Sequence, residues 1–96
     1  MTKAASRTEP VSDHPESLEI SLTPEDNERL ANLCGQLDEH LRQIERRLGV
    51  EINYRGAHFQ LLGEPEAIAA GGEVLQALYN QAVNEVLTPE SVHLYL

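Results

Sequence analysis

One cysteine, Cys34, stands alone in a chain of 96 residues. No internal disulfide framework is available, and a reducing compartment fits. The single lysine, Lys3, is as informative: no G-x-x-x-x-G-K-[ST] phosphate loop can be written in this chain. No apolar run approaches the roughly 20 residues of a spanning helix, which excludes a membrane span. Met1 to Pro15 contain no apolar stretch, so no secretory signal is expected. His14, His40, His58 and His93 lack ligand spacing and cysteine partners, so no metal site is expected. No Ser/His/Asp or Cys/His arrangement stands out, and no catalytic residue is assigned.

What is present supports one small domain. The hydrophobic fraction is 41%, enough for a packed core. Sixteen acidic residues face seven basic ones, for a net charge of −9. That balance disfavours strong non-specific nucleic-acid binding, which feeds on phosphate neutralisation. The charge is uneven, however. Both flanks are acidic, whereas Arg42, Arg46, Arg47 and Arg55 lie within fourteen residues of one another. This basic island reads equally as a solvated helix face countered by Glu39, Glu45 and Glu51, or as a binding flank.

Residues 1–17 are polar, carry Pro10 and Pro15 and show no periodicity, the pattern of a disordered tail. Leu18, Ile20 and Leu22 alternate with Glu19 and Ser21, which predicts a half-buried strand. Thr23-Pro24-Glu25-Asp26 predicts a helix start, with Thr23 as the cap and proline in the first turn. Gly35 closes that helix. Leu37, Leu41, Ile44 and Leu48 form the apolar stripe of a second helix, which Gly49 stops. Val50–Tyr54 and His58–Leu61 alternate as strands around an Arg55-Gly56-Ala57 turn. A third helix runs from about Gly63 to Val86 and buries Ile68, Leu75, Leu78, Ala82 and Val86. Within it, Gly71-Gly72 implies either a close backbone neighbour or a bend. Thr88-Pro89-Glu90-Ser91 repeats the helix-start chemistry, and a strand-like segment follows to Leu96. The order is β-α-α-β-β-α. It predicts an α+β two-layer sandwich over 18–87, a three-stranded sheet with helices on one face, and a separate terminal segment over 88–96.

This order resembles the type I K-homology (KH) module, in which a G-x-x-G loop joins two helices and approaches nucleotide backbone beside an apolar groove. Here Gly35 matches the first loop glycine. Leu41, Ile44, Val50 and Ile52 match the apolar pattern that follows. Asp38 stands where the second glycine belongs. Its carboxylate would cap the second helix and occupy donors that a phosphate would use.

A second resemblance is longer. Thr23-Pro24-Glu25-Asp26-Asn27-Glu28-Arg29-Leu30, Leu33-Cys34-Gly35, Ile44-Glu45-Arg46-Arg47-Leu48-Gly49-Val50-Glu51-Ile52-Asn53 and His58-Phe59 look like the N-terminal region of bacterial PhoH-like ATPases, and Thr88-Pro89-Glu90-Ser91-Val92-His93-Leu94 resembles the segment leading into their nucleotide-binding domain. That resemblance implies a cytoplasmic, RNA-associated accessory domain whose ATP- and Mg-binding domain lies outside this chain, so no cofactor is expected here. It implies single-stranded RNA as ligand, with Gly35, Gln36 and Leu37 giving loop backbone. Arg42, Arg46 and Arg55 would flank the phosphates, and Ile44 and Ile52 would line the groove. Three arginines on a single strand would give a log–log salt slope of about −2. The alternative is a protein-interaction or oligomerisation module that has lost RNA binding, docked on the ATPase domain or on an RNA-processing partner. Cys34 reads as core filler or as a thiolate at a helix start, and Tyr54 and Phe59 read as core or as base-stacking rings.

Overall fold

A computed structural model describes residues 16–96, so the expected tail lies outside it except for Glu16 and Ser17. Those two residues already belong to the first strand, β1 (Glu16–Ser21). The chain continues through α1 (Asn27–Cys34), a single 3-10 turn (Gln36–Asp38), α2 (Glu39–Leu48), β2 (Glu51–Arg55), β3 (His58–Gly63), α3 (Pro65–Gln81) and α4 (Pro89–His93). The three strands form one antiparallel sheet in the order β1-β3-β2. The expected α+β class and β-α-α-β-β-α order are what the structure shows.

Register sorts the sheet into two faces. Leu18 and Ile52 pair with Leu61, and Ile20 and Tyr54 pair with Phe59. Their side chains share one face, because the strand period is two. Glu19 and Asn53 pair with Gln60, and Ser21 and Arg55 pair with His58, which makes the other face polar. The apolar face receives the helices. Leu22, Leu33, Ile44, Phe59, Leu61, Leu75, Leu78, Tyr79 and Val92 are sealed in one core.

Gly71 and Gly72 settle the question their sequence raises. A Cβ on Gly71 would sit 2.6 Å from Leu61 Cδ2, and one on Gly72 would sit 2.9 Å from Leu18 Cδ2. The close neighbours are therefore sheet side chains rather than another backbone. Missing β-carbons let α3 settle onto β1 and β3.

Several boundaries differ from expectation, each for a local reason. The first helix begins at Asn27 rather than near Pro24: Asp26, not Thr23, caps it, accepting from the Glu28 and Arg29 amides at 3.0 and 3.2 Å. Leu37 leaves the apolar stripe. It lies in the 3-10 turn with φ 53° and is 94% exposed. The third helix ends at Gln81, and Val86 is exposed. Asn32 on α1 secures the chain beyond it, donating to the Glu85 carbonyl and accepting the Leu87 amide, both at 2.8 Å.

The terminal segment is α4, not a strand. Thr88 and Ser91 form a reciprocal capping box there, so the helix-start chemistry repeated in the sequence is realised at the second copy only. Val92 and Leu87 join the core, so this segment packs as part of the domain.

Candidate nucleic-acid interface

Gly35 ends α1 with φ 80° and donates its amide to the Ala31 carbonyl at 2.9 Å. No side chain fits there: a Cβ would lie 2.8 Å from His40 Nδ1 and 2.9 Å from Glu39 Cγ. His40 is the prop beneath the loop. It is 2% exposed, and its Nδ1–H donates to the Leu33 carbonyl at 3.0 Å, because a carbonyl can only accept. The opposite nitrogen, Nε2, has no hydrogen-bond partner among the described residues and lies 3.9 Å from the Glu39 carboxylate. Sequence alone offered no sign of this role, since a lone histidine on a helix carries no pattern.

Asp38 adopts the left-handed conformation, with φ 59° and ψ 29°. It does not cap α2, contrary to expectation. Its carboxylate instead accepts the Tyr54 hydroxyl at 2.8 Å, tying the loop to β2. That hydrogen bond, with some burial, holds the Tyr54 phenol well above its usual range. The Tyr54 ring stacks on Phe59, centroids 5.1 Å apart. Phe59 is core, whereas Tyr54 stays 42% exposed, so of the two rings only Tyr54 faces solvent. Cys34 lies buried near this pair. Burial pushes its thiol up to about 11, which fits filler and not a reactive thiolate.

Between α2 and the edge strand β2 opens a cleft of about 510 Å³. Leu41, Ile52 and Tyr54 give it apolar wall, and Asp38, Glu45, Glu51, Asn53 and Arg42 give it polar groups. Glu45 accepts the Ile52 amide at 2.8 Å, so one backbone donor of the edge strand is already satisfied from within.

The predicted site residues are only partly brought together. Arg42 lines the cleft, and Arg46 is exposed one turn further along the same helix. Ile52 lines it, whereas Ile44 is fully buried and does not. Gln36 and Leu37 are exposed at the loop. Arg55 stands elsewhere. It lines a depression on the polar face of the sheet with Glu19, His58 and Gln60. The turn beside it packs toward the segment after β1, where the Leu22 amide donates to the Ala57 carbonyl at 2.9 Å. Arg47 turns to α4 and donates to His93 Nδ1 at 3.1 Å. The basic island is therefore divided among three places.

On the polar sheet face the Ser21 hydroxyl lies 3.1 Å from His58 Nδ1, and His58 Nε2 lies 3.1 Å from Glu19. His58 and Glu19 are more than half exposed, so this chain of contacts is solvated. No run in the sequence matches a phosphate loop of the G-x-x-x-x-G-K-[ST] type, so the residues present do not fit an ATP site of that kind. No helix among the described residues is long and apolar enough to cross a membrane.

No protein-family model matches the chain. Over 64 residues, 66% of its length, the chain is 38% identical to a PhoH-like protein of Mycobacterium bovis and to PhoH-like proteins of two strains of Mycobacterium tuberculosis. The match spans 18% of each of those proteins, and over that stretch the chain is similar to them.

Proposed function

We propose that this chain is a non-catalytic accessory domain of a PhoH-like protein, built on a KH-like scaffold, and that it holds single-stranded RNA for an ATPase domain. The observation that carries the reading is the α2–β2 cleft. It adjoins the Gly35–Asp38 loop, has apolar wall suited to planar bases, and carries Arg42, with Arg46 exposed one turn along. Bases enter the cleft while the backbone runs along the arginines. The carboxylates in the cleft keep phosphate out of it and keep the affinity low. With Arg55 on another face, Arg42 and Arg46 are the phosphate contacts. The log–log salt slope is then about −1.4 rather than the −2 expected from three arginines.

Titration of the chain into short labelled single-stranded RNA at low and moderate salt tests this. Binding should weaken with salt and vanish in the double variant Arg42→Glu, Arg46→Glu. Absence of binding at low salt overturns the reading.

A second reading, docking on the ATPase domain or on an RNA-processing partner, is favoured by Leu37, an apolar side chain 94% exposed at the loop beside the cleft. In that case Leu37→Ser weakens association with the partner domain in a pull-down, and RNA has no effect on it.

A further inference from the structure

The polar groups of the cleft are rich in acceptors, and this bears on which base it takes. Glu45 is held by one oxygen. Oε2 accepts the Ile52 amide, and Oε1 lies 4.0 Å from Arg42 Nη1. That distance is beyond a hydrogen bond, so acceptor and donor each keep capacity for a third party. Glu51 lines the same cleft, with Oε2 only weakly engaged by Asn53 at 3.3 Å. An ionised carboxylate accepts and cannot donate, and a guanidinium donates and cannot accept. A base entering here must bring several N–H groups to the carboxylates and one acceptor to Arg42. A base that brings too few leaves desolvated carboxylate oxygens unpaired.

Resting on the RNA reading above, we propose that this cleft selects guanine over uracil. On one edge guanine carries the N1–H and the N2 amino group beside the O6 acceptor. Its N–H groups meet Glu45 Oε1 and Glu51, and O6 accepts from Arg42. Uracil brings a single N–H, flanked on both sides by carbonyl oxygens that face carboxylates. Cytosine and adenine, each with one amino group, fall between. Arg42 thus reads the base with part of its guanidinium fork, and its remaining N–H groups stay with Arg46 on the phosphate.

The test compares binding of a short labelled oligouridine with the same oligomer carrying isolated guanines, by fluorescence anisotropy at low salt. The guanine-bearing strand should bind at least about tenfold more tightly. The ratio should persist as salt rises, because the phosphate contribution is common to both strands. Glu45→Gln supplies the control. The glutamine oxygen can still accept the Ile52 amide, but its NH₂ presents a donor to the cleft, so the ratio should fall toward one. Circular dichroism reports whether this variant folds; if it does not, Glu51→Gln, at an exposed position, should lower the ratio in its place. Arg46→Gln should weaken both strands equally. Equal binding of the two strands by the unaltered chain overturns the base selection and leaves the RNA reading standing. Binding of neither strand overturns both.

Discussion

The two flanks of β3 are held by different physics. On one side, α3 lies against β1 and β3 through bare glycine backbone and sealed aliphatic side chains. On the other, Ile44 and Ile52 carry α2 and β2 into the same core, while the Gly35–Asp38 loop and the solvent-facing edge between α2 and β2 are set by a few polar contacts: Tyr54 to Asp38, His40 to the Leu33 carbonyl and Glu45 to the Ile52 amide. A dry, close-packed flank responds to any change of volume. A flank set by single hydrogen bonds can be adjusted one bond at a time. The candidate interface occupies the adjustable flank, and the packed flank supplies the stability that allows left-handed residues in its loop.

Phe59 lies under both regions, so its removal should be the most damaging change. It is fully buried in the central strand and stacks on Tyr54. Phe59→Ala should cost about 3–5 kcal/mol by urea denaturation. A loss below about 1 kcal/mol would mean that the two flanks do not share a core. Gly71→Val tests the packed flank alone. The new Cβ would collide with Leu61 Cδ2, so overpacking should cost about 1–3 kcal/mol. Amide exchange in the 35–38 loop should stay unchanged relative to global stability, and a selective loosening of that loop would mean that the two flanks are not independent.

The polar flank should show itself at alkaline pH. The Cys34 thiol is raised from 9.0 to about 11 and the Tyr54 phenol is raised as well, so the unfolded chain releases these protons first. The stability they contribute is complete below about pH 9 and is lost as pH rises toward 11 and beyond. Denaturation midpoints at pH 8 and pH 11 should differ, and Cys34→Ala should narrow the difference. Tyr54→Phe removes the hydroxyl contact to Asp38 and should cost about 0.5–1.5 kcal/mol. Its larger sign should be faster amide exchange at Gln36 to Asp38.

The legibility of the sequence divides along the same line. Strand alternation at Leu18–Leu22 and His58–Leu61, the helical stripe through Leu41, Ile44 and Leu48, and the stops at Gly35 and Gly49 are periodic or conformational signals, and the fold follows them. The glycine pair in α3 was visible as an anomaly, and only the register of β1 on β3 shows what fills it. The capping role of Asp26 over Thr23 was a contest between neighbouring residues that propensity does not decide. The polar contacts of the interface have no period at all. Glu45 reaches Ile52 across seven residues and Tyr54 reaches Asp38 across sixteen, so chain order carries no trace of them. Arg55 shows the same limit: it is close to Arg42 in sequence yet stands on another face.

The smallest predicted effect bears most directly on why this loop has its composition. Leu37 holds φ 53° and ψ 33°, a conformation that costs an L-residue about 1–2 kcal/mol, and exposes nearly its whole side chain. Neither burial nor backbone preference recommends leucine at this position. Asparagine visits the left-handed region more readily, so Leu37→Asn should stabilise the domain by a few tenths to about 1 kcal/mol, read from the denaturation midpoint. Stability would thus rise in the one region where the native residue opposes it. If leucine is kept for contact with a ligand or partner, the same variant should bind RNA or the partner domain more weakly while folding better, the trade expected where local strain serves a site. A variant that loses stability would instead show that Leu37 supports the loop through contacts its exposure does not suggest, and the contrast between a packed flank and an adjustable one would fail at the position where it is sharpest.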